Sequence, residues 1–333
     1  MSRQPDFAIV VEELGKVYPG GTRALAGVSV RVARGELFAL VGPDGAGKTT
    51  LLRTMVGLIA PTEGRVLMDG IDVAQNPALA KSRIGYMSQR FSLSETLTVA
   101  ENLLYVAEVW HVPPGQRRER VSRLLQFSRL EPFQDRLARN LSGGMKQKLS
   151  LCAALVHQPE ILVLDEPTIG VDPISRREFW LILYELLQAG STIFLSTPYM
   201  DEAERCNRVG FLLGGRLIAT GTPSELRSSS PTMVLDLHCV DARRARRKLA
   251  QDLRFPDVAP FGEHLHIPIP RTEADPEAWV RAARNLGVEV RSWRLREPSL
   301  EDVFLRLAAE EGDPGEHSHH GGQGSRGSRQ APR

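Results

Sequence analysis

A chain of 333 residues with 42% hydrophobic and 25% charged residues has the composition of an ordinary globular protein, large enough for one sizeable domain plus a smaller one. A net charge of +2 gives no reason to expect nucleic acid as a partner. Three widely spaced cysteines (Cys152, Cys206, Cys239) with no CxxC pair argue against a disulfide scaffold or a zinc site and fit a reducing compartment.

The opening M-S-R-Q-P-D-F has no signal-peptide apolar core. No run approaches the roughly 18 apolar residues of a membrane-spanning helix. The expectation is a cytosolic protein whose membrane role, if any, runs through a partner. From residue 1 to about 225, short apolar runs alternate with helical patterns. L-F-A-L-V at 37–41, I-L-V-L at 161–164 and T-I-F-L at 192–195 are nearly continuous apolar runs, as in strands covered on both faces of a parallel sheet. The pattern at 176–187 predicts a helix, and the alternation predicts an α/β layered fold.

The first run leads into G-P-D-G-A-G-K-T, which fits G-x-x-x-x-G-K-[ST], and then into a helical run at 49–56. In that strand–loop–helix setting, Gly42, Pro43, Asp44, Gly45, Ala46, Gly47, Lys48, Thr49 and Thr50 are the candidate polyphosphate cradle. Glycines let backbone N–H groups wrap the phosphates, and the helix N-terminus adds favourable partial charge. Lys48 supplies a cation to the β- and γ-phosphates, and the Thr49 hydroxyl supplies a ligand to Mg²⁺. Further on, L-S-G-G-M-K-Q-K-L at 141–149 begins a helix with a serine and two glycines, a second anion-binding end. One nucleotide does not require two. The run at 161–164 delivers Asp165 and Glu166 at a strand's C-terminal end, where open α/β sheets bind ligands. Asp165 is the candidate Mg²⁺ holder, directly or through water, and Glu166 the candidate general base.

R-S-S-S-P at 227–231 reads as a linker. Beyond it, residues 232–309 order as strand, helix (243–253), two strands about Gly262, helix (276–286), strand (288–296) and helix (300–309). That order predicts a small α+β module of ferredoxin-like type. The basic cluster R-R-A-R-R-K at 243–248 is interleaved with helix formers and reads as a solvated helix face. The end, 312–333, is rich in Gly, Ser and Pro and is expected to be disordered. His317, His319 and His320 there are read as solvated, with weak metal binding as the lesser alternative.

In combination these motifs resemble the ATP-binding subunits of ABC transporters, over residues 7 to about 225. Residues 42–49 match the Walker A loop, 161–166 Walker B, and L-S-G-G-M at 141–145 the family signature. Gln89, ending I-G-Y-M-S-Q, matches the Q-loop glutamine, counted here with both the catalytic and the metal residues. Tyr18 matches the aromatic that stacks on adenine, and Asp172 in G-V-D-P the D-loop aspartate. Each has a plainer alternative: core packing for Tyr18, capping for Gln89, and a helix N-cap for Asp172. Asp44 departs mildly from the family's usual Asn.

The resemblance implies a P-loop ATPase domain (1–226) with a parallel-sheet core and a helical subdomain, an accessory module (227–310) and a tail (311–333). It implies ATP and Mg²⁺ as cofactors and a head-to-tail dimer. Ser142, Gly143 and Gly144 would grip the γ-phosphate of ATP held by the partner chain. The surface near Gln89 and 91–102 would pass motion to membrane-spanning subunits at the cytoplasmic face of a bacterial cell membrane. The M-D-E-A-E segment at 200–204, the short V-D-P loop and the appended module resemble drug- and antibiotic-export ATPases of daunorubicin-resistance type. One position breaks the pattern. After Ser196 and Thr197 the family places a histidine that reaches the γ-phosphate, and here stands Pro198, which has neither side-chain donor nor backbone N–H. With Thr197 as N-cap, proline suits a first helical turn, and Asp201, Glu202 and Glu204 suit its positive end. The expectation is an ATP site that binds well and hydrolyses slowly, paired with a different ATP-binding subunit or, alternatively, in a slow homodimer. A nucleotide-gated regulator with little turnover is the alternative function.

Overall fold

The computed structural model describes residues 7–252, 254–255, 258–273 and 275–312. The expected tail from 313 onward, with His317, His319 and His320, lies outside the described residues.

Two long antiparallel strands come first, β1 (Phe7–Val17) and β2 (Arg23–Ala33). Burial alternates along β2, as in a strand with one covered face. Strand β3 (Leu37–Val41) is buried at every position and ends at the phosphate loop, which opens helix α1 (Lys48–Met55). Strands β4 (Glu63–Met68) and β5 (Ile71–Asp72) complete a first sheet of order β2-β1-β4-β5. Helix α2 (Pro77–Arg83) leads to β6 (Ile84–Met87). A helical subdomain follows: α3 (Val99–Val109), α4 (Pro114–Phe127) and α5 (Gly143–Leu155), packed around Leu103, Val121, Leu125, Leu149 and Cys152. Thr98 and Glu101 cap α3 reciprocally, which fixes where that helix starts.

Strand β7 (Ile161–Asp165), helix α6 (Pro173–Gln188), strand β8 (Thr192–Thr197), the short α7 (Met200–Ala203), strands β9 (Arg208–Leu213) and β10 (Arg216–Gly221) and helix α8 (Pro223–Ser228) finish the domain. The second sheet runs β10-β9-β3-β8-β7-β6. All its neighbours pair in parallel except the edge strand β10. This is the α/β core expected from the apolar runs. Between the two sheets, α1 buries Leu51, Leu52 and Met55 beside the stacked rings of Phe38 and Phe194 (centroids 5.1 Å apart).

The last part is β11 (Thr232–Cys239), α9 (Ala242–Leu249), β12 (Ala259–Phe261), β13 (His264–Pro270), α10 (Pro276–Asn285), β14 (Val290–Arg296) and α11 (Leu300–Gly312). Its sheet, β12-β13-β11-β14, is antiparallel throughout, with α9 and α10 sharing its core. That is the ferredoxin-like arrangement. Helix α9 stops at Leu249 and not at 253, and β14 starts at Val290, after a turn at Gly287 with φ +75°. Arg243, Arg244, Arg246 and Arg247 face solvent while Ala242, Ala245 and Leu249 are buried, so the basic cluster is a solvated face.

Helix α11 departs from simple modularity. Leu300 and Val303 join the core of the first domain with Leu226 of α8, and Phe304 meets Phe211 of β9 edge-on at 5.3 Å. The stretch expected as a linker is pinned as well. Arg227 and Ser228 end α8, and the Arg271 guanidinium donates to the Ser230 carbonyl at 2.8 Å and pairs with Glu297. Helix α11 therefore closes the core of the first domain. Leu300, with no exposed surface, is expected to cost about 2–5 kcal/mol as Leu300→Ala, read by urea denaturation of the full chain.

Candidate functional site

The phosphate loop hangs from the buried strand β3. Gly42 has no room for a side chain, since a Cβ would lie 2.2 Å from the Leu212 carbonyl oxygen. Gly47, at φ +106°, is the N-cap of α1, and no side chain caps it. The first-turn N–H groups of α1 thus face the loop's hollow. Ala46 is buried, whereas Pro43, Asp44 and Gly45 are exposed, which puts the Asp44 carboxylate on the solvent side. The Lys48 ammonium, 4% exposed, donates to the carbonyls of Gly42 (2.8 Å) and Pro43 (3.1 Å) and pairs with Glu166 Oε1 at 3.1 Å. Tyr18 is half-buried, with its hydroxyl 3.3 Å from Thr50 Oγ1, so the aromatic stands at the start of α1.

Both acids at the end of β7 are buried. Gln89 donates its amide to Glu166 Oε2 at 2.7 Å, so the Glu166 carboxylate is clamped between Gln89 and Lys48. Asp165 Oδ1 accepts from Thr49 Oγ1 (3.2 Å) and Ser196 Oγ (2.8 Å), while its Oδ2 is buried and without a partner among the described residues. A buried, unpartnered carboxylate oxygen beside a threonine hydroxyl fits a hard cation that takes oxygen ligands. The exposed phosphate loop alongside fits an anion. The residues present therefore fit Mg²⁺ and a nucleotide polyphosphate.

Tyr18, the loop, Gln89, Asp165 and Glu166 converge on one place. Ser142, Gly143, Gly144 and Asp172 stand apart: among the described residues no hydrogen bond or ion pair links them to the loop. Ser142 caps α5, accepting from the Met145 N–H at 3.3 Å, and both Ser142 and Gly143 are exposed. Gly144 is needed because α5 and α6 approach closely there; a Cβ would lie 2.3 Å from Ser175 Cβ. Asp172 caps α6, accepting from the N–H groups of Ile174 and Ser175. The bond from the Ser175 backbone, first among several, holds its carboxyl below the ordinary range.

The turn at Pro198 differs from expectation. Thr197 is the buried last residue of β8 and not a helix N-cap, and α7 starts at Met200 with Tyr199 as its N-cap. Pro198 thus precedes the helix and does not sit in its first turn. Asp201 and Glu202 do stand in the first turn of α7, as expected, but the Glu202 carboxylate has a further role. It is fully buried and accepts from Thr197 Oγ1 (2.6 Å), Thr168 Oγ1 (2.5 Å), Arg176 Nε (2.6 Å) and Trp180 Nε1 (3.2 Å). Sequence reasoning missed Ser196, Thr197 and Glu202 as a connected set. The signal was present as two hydroxyl residues between an apolar strand and an acid. His157 is outside the site, stacked on Trp110 (3.9 Å) with Nε2 3.0 Å from the Ile84 carbonyl.

Comparison with known proteins bears on this arrangement. Residues 25–169 match the ABC transporter family, and residues 221–308 match the C-terminal domain of ATP-binding proteins like DrrA1-3. The daunorubicin/doxorubicin resistance ATP-binding protein DrrA of Streptomyces peucetius is 37% identical over 94% of this chain and 96% of its own length. The chain belongs to the ABC transporter ATP-binding subunits. This ABC subunit is also 38% identical to the Nod factor export ATP-binding protein I of Paraburkholderia xenovorans, over 92% of this chain and 99% of that protein. It is 42% identical over 68% of its length to the probable multidrug ABC transporter ATP-binding protein YbhF of Escherichia coli, of whose length it spans only 39%. Among solved structures, a dimeric ATP-binding cassette with ADP and phosphate in a post-hydrolysis state matches at TM-score 0.60 and 27% identity, over 64% of this chain and 98% of that one. CbiO1 of Clostridium perfringens matches at TM-score 0.62 and 29% identity, over 74% of this chain and 96% of that one. The ABC subunit accordingly shares the cassette fold of these nucleotide-binding relatives.

The Glu202 hub makes a stability prediction for this subunit. Glu202→Gln keeps the volume but removes the charge that Arg176 pairs with, and is expected to destabilise by about 3 kcal/mol in denaturant titration.

Proposed function

We propose that this subunit binds ATP with Mg²⁺ and energises a membrane exporter of drugs, lipids or other small hydrophobic molecules. The observation that carries the proposal is the Glu166 carboxylate, buried and held between Lys48 and Gln89 at the mouth of the phosphate loop. Lys48 swings from Glu166 to the β- and γ-phosphates when nucleotide arrives, which frees Glu166 to take a proton from the attacking water. Gln89, bonded to Glu166, orients that carboxylate and would add its amide oxygen to the residues that hold a bound Mg²⁺. Thr49 and Asp165 would hold Mg²⁺, which would neutralise phosphate charge. Tyr18 stacks on the adenine, and the loop from Gly42 to Thr50 cradles the phosphates.

The exposed Ser142–Gly143 end of α5 has no role within its own chain's site. We assign Ser142, Gly143, Gly144 and Asp172 to a dimer interface, where they meet the ATP of a second subunit. Dimeric cassettes among the solved relatives support that assignment. A cavity of about 330 Å³ beside β6, two residues before Gln89, is lined by Tyr86, Met87, Leu93, Trp110 and His157, and it supports coupling to a membrane-spanning partner at this face. Among the described residues no helix is long and apolar enough to cross a membrane, so the subunit is proposed to sit on the cytoplasmic face through that partner. The export reading rests on what the relatives' names say of those proteins: multidrug, daunorubicin and Nod factor export.

Pro198 sets the expected rate. Removing one transition-state donor costs on the order of 10²-fold. The chain's own Walker site is therefore slow, and a different ATP-binding subunit carrying the missing histidine is the proposed partner, with this chain's signature completing the faster site. In purified subunit, Pro198→His is expected to raise ATP hydrolysis by up to about 10²-fold without changing ATP affinity. Equal rates would defeat the slow-site proposal. A wild-type chain that fails to bind Mg²⁺–ATP would defeat the whole assignment. Isolation from membranes with no multi-spanning protein attached would favour a nucleotide-gated regulator.

A further inference from the structure

The two oxygens of Asp165 are treated unequally. Oδ1 carries hydrogen bonds from Thr49 and Ser196, and Oδ2 carries none although it is buried. The terminal torsion of an aspartate is broad and roughly two-fold, so nothing intrinsic chooses which oxygen points where. A bond to one oxygen makes the choice. The Ser196 bond is the shorter of the two, and Ser196 is fully buried.

The same hydroxyl does a second thing. While it donates to Asp165 it accepts from the Glu166 N–H at 3.0 Å, an N–H that also reaches the Ser196 carbonyl at 3.1 Å. Glu166 sits at φ +49°, a left-handed conformation that few L residues adopt. Its main chain is thus anchored by Ser196 where strain would otherwise move it. Ser196 is itself fixed from both sides. It stands opposite Asp165 in the β7–β8 ladder, and its neighbour Thr197 is tied to the buried Glu202.

Within the turn 196–199, Ser196 is the residue whose side chain touches the acids. Thr197 bonds Glu202, Pro198 offers no donor, and the Tyr199 ring lies 4.4 Å from the Arg176 guanidinium carbon. A buried serine that only satisfied itself would bond its own turn. This one bonds two functional acids at once.

We infer that Ser196 is a positioning residue of the ATP site: its hydroxyl sets the rotation of the Asp165 carboxylate, leaving Oδ2 for the metal, and anchors the Glu166 main chain. The inference rests on Asp165 as the Mg²⁺ holder and Glu166 as the base. In a chain without the histidine at this turn, the strand end still governs the acids, through Ser196.

The test compares full-length wild type with Ser196→Ala. Mn²⁺ affinity is measured by electron paramagnetic resonance with a non-hydrolysable ATP analogue, nucleotide affinity in EDTA with a fluorescent ATP analogue, and hydrolysis at steady state. Loss of an outer-shell partner typically weakens metal affinity or activity about 10- to 100-fold. That loss is expected for Mn²⁺ affinity and for hydrolysis in Ser196→Ala, with metal-free nucleotide affinity unchanged and most of the Mn²⁺ affinity restored in Ser196→Thr. Unchanged Mn²⁺ affinity overturns the inference, and so does a parallel fall in metal-free nucleotide binding, which marks general loosening. Where alanine does not fold, Ser196→Cys, whose thiol is a weak donor, serves the same comparison. A wild-type chain that binds Mn²⁺ and nucleotide but hydrolyses none defeats the hydrolytic assignment alone, because the Mn²⁺ comparison needs no turnover.

Discussion

Everything in the ATP site depends on the register of three buried parallel strands. Val41 of β3 lies opposite Thr197 of β8, and Ser196 of β8 lies opposite Asp165 of β7. That ladder brings the start of the phosphate loop, the two acids and the Pro198 turn to one edge of the sheet. A slip of one residue would turn every side chain to the other face. The register is protected because all three strands are buried along their whole length, with apolar side chains committed to a core on each face. Packing on the faces thus fixes chemistry at the edge.

Much of this edge was legible in sequence for a physical reason. Glycines at 42, 45 and 47, a lysine and hydroxyls at a strand–helix junction have few structural excuses together, and two acids after a buried strand have fewer still. The ferredoxin-like order of the last part was legible too, from the succession of strand-like and helix-like stretches, with β13 alternating cleanly as H-L-H-I-P-I-P. What escaped was long-range. Glu202 looked like an acid placed for a helix dipole, and only the fold reveals four donors converging on it. Helix α11 has an apolar stripe visible in sequence, but a stripe does not say which core it enters. Its packing on β9 and α8 crosses the whole ferredoxin-like module.

Pro198 is better understood in this setting. It does not build a helix start, since α7 begins two residues later. It ends β8 without disturbing the bonds on either side of it: Ser196 reaches back to the acids and Thr197 reaches forward to Glu202. The turn keeps its mechanical links to Asp165 and to α6 while lacking a group that reaches phosphate. The turn here is a tether between the β7 acids and the Glu202 hub.

The closure of the first domain by α11 has a consequence for how the protein is made. Residues up to about 228 contain every nucleotide-binding motif, yet Leu300, Val303 and Phe304 belong to the apolar layer beneath them. During synthesis that layer stays uncovered until the last helix has left the ribosome. The nascent first domain must therefore wait, with part of its inner surface bare, for a segment more than seventy residues downstream. A subunit truncated before that segment keeps its motifs and lacks the apolar contacts that Leu300, Val303 and Phe304 make with the layer beneath them.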